Sequence, residues 1–155
     1  TINADGALNI SSQPGFLAFL ASTHNNVTGD ATTYYSSDAG ASYTEVYDTA
    51  ANFDGAGTFT APVTGKYLVC VNVMFEGLTA NHSSGVFYIF TSNRTYSRLF
   101  HPRNMANVNT NIGLPMAQIC DVDSGDTIRW GLYVNFTDKT IDITTTTNFG
   151  AQLIS

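Results

Sequence analysis

The clearest pattern in the chain is the alternation over residues 65–75. Tyr67, Val69, Val71, Val73 and Phe75 take one set of positions, and Lys66, Cys70 and Asn72 fall on the other. Successive side chains of a strand point to opposite faces, so the odd-numbered set is expected to face a core. Pro62 lacks a backbone N–H and Gly65 tolerates positive φ, which places a bend just ahead of this strand. Residues 128–136 repeat the design, with Ile128, Trp130, Leu132, Val134 and Phe136 opposed to Arg129, Tyr133 and Asn135. That second strand carries the only Trp of the chain inward.

Shorter segments complete the pattern. The run FLAFL at 16–20 is apolar between turn residues and predicts a buried strand, and YTEVY at 43–47 alternates. Further strands are expected over 114–120, 141–143 and 149–154. The run VFYIF at 86–90 is apolar on both alternations, which predicts cover on both faces, by a second sheet and by a neighbouring subunit. Residues 22–40 are rich in Asn, Thr, Gly, Ser and Asp and read as a long exposed connection with a short hairpin near Tyr34 and Tyr35. An Asn-rich loop is expected over 104–113. No helical period is sustained anywhere, so the expected class is all-β, a sandwich of two antiparallel sheets.

Phe59, Ala61-Pro62, Gly65 and Tyr67 stand at the spacing F-x-A-P-x-x-G-x-Y, followed by Val69 and Val71. This run resembles the signature of the C1q-like domain, the trimeric jelly roll of complement C1q heads and of the related tumour necrosis factor superfamily. The Gly125-Asp126 turn and the closing strand with Phe149, Gly150 and Leu153 follow in the order of that family, so the resemblance covers about residues 16–153. The family pattern has an aromatic six residues before Phe59; Asn52 stands there, with Phe53 one place later, and a bulge or one-residue shift is expected. The resemblance implies a C1q/TNF-like jelly roll assembling as a homotrimer. Phe16, Phe19, Tyr88, Phe90 and Phe149 are then expected to divide between core and three-fold interface, with Leu68, Cys70 and Met74 as further subunit contacts.

At 155 residues one sizeable core is expected, with residues 14–155 as the head domain and 1–13 as a β-rich shaft or linker remnant built around the Asp5-Gly6 turn. The first residue is Thr1 and not Met, which suggests a fragment or a processed product. Only 12% of residues are charged, so Thr, Ser and Asn must furnish the polar surface, a composition suited to a virion surface or extracellular protein. The net charge of -6 argues against nucleic-acid partners, and no apolar run is long enough for membrane insertion. Cys70 and Cys120 read as two small buried thiols.

Candidate chemistry is sparse. Arg94, Arg98 and Arg103 supply half of the six Lys and Arg residues within ten positions, beside Tyr96 and His101. Arginine forks match carboxylates and phosphates, so this segment is a candidate site for an acidic glycan, a lipopolysaccharide phosphate or a carboxylate on a neighbouring chain, against the alternative of a strand edge guarded by charge. Tyr34 and Tyr35 are candidates for stacking on sugar. Asp121, Asp123 and Asp126 offer hard oxygen ligands for a possible Ca2+, against the reading of a plain turn. The three His residues have no converging partners, no catalytic motif is present, and neither enzymatic activity nor a cofactor is expected. The function expected is that of a trimeric head on a viral or phage fibre. It would contact a host cell-surface glycan or protein receptor and be joined to other virion proteins through its N-terminal side. The alternatives are a secreted animal C1q-like ligand and a capsid decoration or trimerising cap.

Overall fold

In a computed structural model, which describes residues 13–38, 40–105, 111–136 and 138–155, the alternating segments become strands of two antiparallel sheets. The strands run β1 Gly15–Leu20, β2 His24–Thr28, β3 Thr33–Tyr35, β4 Tyr43–Thr49, β5 Phe59–Thr60 and β6 Gly65–Glu76. They continue as β7 Ser84–Thr91, β8 Thr95–Phe100, β9 Ile112–Val122, β10 Thr127–Asn135, β11 Ile141–Ile143 and β12 Asn148–Leu153. The expected shaft lies almost wholly outside the described residues, as does part of the expected loop at 104–113. Gln13, the one described residue of the shaft segment, donates its side-chain amide to the Leu153 carbonyl.

One sheet has the order β2-β11-β6-β12-β1-β4, with β9 on the other edge of β6. The other has the order β3-β10-β7-β8, with β5 beside β10. Both clean alternations decide what lies between them. Tyr67, Val69, Val71, Val73 and Phe75 of β6 are buried, and so are Ile128, Trp130, Leu132 and Val134 of β10. Burial of each large apolar side chain contributes about 1.5–3 kcal/mol, so these two strands supply much of the hydrophobic term. Phe136 departs from the pattern: β10 ends at Asn135, and the Phe136 ring is exposed.

Aromatic rings close one end of the core. Phe16 stacks on Phe53 and Phe59 at 4.4 and 5.0 Å and meets Phe149 edge-on at 4.8 Å. The displaced aromatic of the signature is thus absorbed locally. Ala50 and Ala51 take positive φ, the Asp48 carboxylate accepts the N–H groups of Asn52 and Phe53, and Phe53 reaches the ring cluster. A buried hydroxyl ties the sheets' loops together: Ser36 Oγ donates to the Gly57 carbonyl at 2.7 Å and accepts from the Trp130 backbone N–H at 3.1 Å. The Trp130 indole N–H is buried and has the Tyr43 hydroxyl as its neighbouring polar group.

Several expectations are corrected. FLAFL alternates: Phe16, Ala18 and Leu20 face the core, whereas Leu17 is half-buried and Phe19 exposed on the outer face. The 22–40 connection contains β2 and β3, and Tyr34 is buried beneath β3 against Trp130 instead of being exposed. Cys120 is buried as expected, but Cys70 is exposed, and the two free thiols lie on opposite faces of the β6–β9 pair. Burial pushes the Cys120 thiol up to about 11.

Candidate functional site

The arginine segment does not form one site. Arg94 closes the β7–β8 hairpin, where its backbone N–H and carbonyl bond the Thr91 hydroxyl and N–H, and its side chain is exposed. Strand β8 then carries the chain roughly 20 Å away before His101 and Arg103 appear. Arg98 and Tyr96 share the side of β8 that looks across to β9, because their register partners Phe87 and Ile89 face inward. There Arg98 Nη1 donates to the Pro115 carbonyl at 2.6 Å, bridging the free edges of the two sheets. Pro115 sits in an edge strand, the place in a sheet where a missing N–H is tolerated. Arg103 donates to the Ala80 carbonyl at 3.2 Å, and with His101, Ser83 and Asn104 it lines a depression of about 300 Å³.

The acidic turn is also dispersed. Asp126 Oδ2 accepts the Asp123 N–H at 3.0 Å and the Asn93 side-chain amide, Asp123 faces the Thr64 hydroxyl, and Asp121 lies opposite Lys66 in the β6–β9 register. Gly125 takes the positive φ of the turn. Among the described residues no three His, Cys, Asp or Glu groups are gathered as a metal would require, so Asp121, Asp123 and Asp126 are not brought together as a calcium set. His24 bonds the Tyr34 hydroxyl at 3.0 Å, and buried His82 accepts the Thr79 N–H at 2.9 Å.

Two sheet faces are better organised. On the outer face of the seven-stranded sheet, register places Ala117, Cys70, Gly150, Leu17 and Tyr47 in one cross-strand row. The flanking rows are Ile119, Leu68, Gln152, Gly15, Thr49 and Pro115, Asn72, Asn148, Phe19, Thr44. No charged residue occurs in the three rows, while Phe19, Tyr47, Leu68 and Ile119 are exposed large apolar side chains. Leu17, Tyr47, Leu68 and Cys70 rim a dent of about 150 Å³ over Gly150.

The outer face of the five-stranded sheet carries Tyr35, Tyr88, Phe90, Arg129 and Tyr133, half-buried rings around an exposed arginine. Phe16 and Phe149 thus belong to the core, Phe19 to the first outer face, and Tyr88 and Phe90 to the second. Arg129 and Tyr133 fall on the non-core alternation of β10, the one sequence signal for them; that Tyr35 and Phe90 lie beside them depends on strand register.

No protein-family model matches the chain, and neither does any curated protein. Solved structures do. The globular domain of zebrafish complement 1qA protein has a TM-score of 0.56 at 11% identity, over 92% of this chain and 98% of that one. Murine APRIL crystallised at pH 5.0 has a TM-score of 0.60 at 11% identity, over 92% of this chain and 99% of that one. With its two sheets and their order, the chain therefore has the C1q/TNF-like jelly-roll fold.

Proposed function

We propose that this chain is a non-enzymatic, trimer-forming head domain at a virion surface, carried on a fibre by residues 1–13 and engaging a host cell-surface glycan or protein receptor. The observation that carries the reading is the three central cross-strand rows on the outer face of the seven-stranded sheet, which hold no charged residue between the Lys66–Asp121 and Glu76–Asp142 pairs. Exposed Phe19, Tyr47, Leu68 and Ile119 with half-buried Leu17 form a contiguous apolar surface of the kind that soluble monomers rarely leave open. A closed ring of three copies covers it and matches the assembly that the signature implies. Support for the virion setting comes from the shaft-like run TINADGALNI ahead of the head and from the low charge density.

Adsorption of purified protein of verified oligomeric state to a panel of whole bacterial cells tests the receptor role. The trimer is expected to bind at least one host, and Leu68→Glu, which puts a charge into the apolar face, is expected to yield monomers that bind about a hundredfold more weakly through lost avidity. A verified trimer that binds no cells of the panel contradicts the receptor role.

A further inference from the structure

The second face described above is more than leftover aromatic surface. Across the five-stranded sheet, Tyr35, Gly131 and Tyr88 share one row, and Arg129 and Phe90 the next. Phe90 leans over Gly131, where an added Cβ would stand 2.9 Å from its ring and 3.0 Å from the Tyr34 carbonyl. A side chain at 131 would lift the ring, so glycine is what lets the rings lie down. Phe90 then stacks on Tyr88 at 5.1 Å with 26° between planes and meets Tyr35 at 5.4 Å. Arg129 Cζ lies 4.8 Å from the Tyr35 ring centroid and 5.8 Å from that of Phe90, a double cation–π contact that fixes the guanidinium.

The charge pattern is selective. Register puts no acid among the described residues of this face, in a chain of net charge -6, and the neighbouring Asp38 carboxylate accepts the Tyr35 N–H at 2.9 Å. The Arg129 side chain is exposed and lies against the Tyr35 and Phe90 rings, which leaves its outward N–H edge facing away from the sheet. Register sets Tyr133 in the row beside Tyr35 and Tyr88, and burial, then neighbouring Tyr133 and Tyr35, raise the Tyr88 phenol above its usual pKa.

We infer that this face is a binding site for a carboxylate-bearing saccharide, with a sugar ring lying on Phe90, Tyr88 and Tyr35 and its carboxylate taken by Arg129. Rings offer the C–H side of a sugar an apolar bed at low entropic cost, phenols reach its hydroxyls, and an arginine fork fits a carboxylate at two points. An extended peptide would draw its main-chain bonds from a sheet edge, which the middle of this face lacks. A nucleic acid is disfavoured by one cation on an acidic protein. The inference rests on the reading of the chain as a recognition head, and it names the class of ligand.

The test is titration of the full chain with 3′-sialyllactose and with a galacturonate trimer, with lactose and a neutral glucose trimer as controls. Readout at the site is obtained from the 15N and methyl NMR shifts of β7 and β10, and light scattering on the same samples reports oligomeric state. At least one acidic sugar is expected to bind with shifts centred on Tyr88, Phe90 and Arg129. The neutral sugars, and the acidic ones against Arg129→Ala, should bind about ten- to a hundredfold more weakly. Arg129→Lys is expected to recover little of the loss, because an ammonium lacks the fork. Equal binding of neutral and acidic sugars, unchanged binding by folded Arg129→Ala, or no binding to either acid overturns the inference. So does a change of oligomeric state in Arg129→Ala or Tyr88→Ala, since a second copy of the chain would then be the occupant. In the first three outcomes the light scattering leaves the trimeric head standing or falling on its own.

Discussion

Single residues carry two consequences that solution work can check. Gly57 sits at φ 104 with the Ser36 carbonyl 2.0 Å from where a Cβ would be, beside the hydrogen bond that joins it to Ser36. Gly125 has a similar φ of 92 and open space around it. Gly57→Ala is therefore expected to be destabilised by backbone strain of about 1–3 kcal/mol plus the clash, and Gly125→Ala by the strain alone, so the urea midpoint should fall further in Gly57→Ala. His82 supplies a pH dependence. Burial holds its imidazole below the usual pKa, against an opposing pull from Asp138, so the folded chain binds fewer protons than the unfolded one. Its contribution is fully present above about pH 6.5 and is lost as pH falls from there towards the depressed folded value. Urea midpoints between pH 7.5 and 5 should fall, and His82→Asn, which keeps an acceptor for the Thr79 N–H, should flatten that slope; an unchanged slope contradicts the assignment.

Strands show how far sequence reasoning reaches. The alternations of β6 and β10 identify their core faces residue by residue, because period two is imposed by the backbone and needs no partner to be read. Strands β2 and β3 escape that reading, since HNNVT and TYY carry too few apolar positions to alternate and depend on pairing with β11 and β10. The arginines mislead for the opposite reason. Proximity in sequence suggests one patch, but an extended strand separates its ends and turns neighbours to opposite faces, so Arg94, Arg98 and Arg103 reach three places. What gathers the rings around Arg129 is register between distant strands, which no local pattern encodes. At this scale the exposed thiol of Cys70 is a probe of the apolar face. In the assembled trimer it is expected to resist a thiol-specific dye, in Leu68→Glu monomers it should react at once, and Cys120, buried with its thiol pushed up to about 11, should react only on unfolding. Rapid labelling of Cys70 in the assembled protein would place the subunit contact elsewhere.

As a whole, the molecule is a sandwich with unlike outer faces, one apolar and free of charge across three rows, the other aromatic around a single cation. Residues 59–67 make the jelly roll legible because they specify a strand, a corner and a core face in one run, and structures at 11% identity share the fold. Their spacing carries no information about ligand, which a fold hosts on its surface. Among the described residues no helix is long and apolar enough to cross a membrane. The division of labour inferred here, one face to assemble and the other to recognise, begins with the assembly. Light scattering of the purified chain at micromolar concentration tests that most directly. A mass three times that of the 16.7 kDa chain is expected, falling to the single-chain mass in Leu68→Glu. A wild-type chain that remains a stable monomer contradicts it.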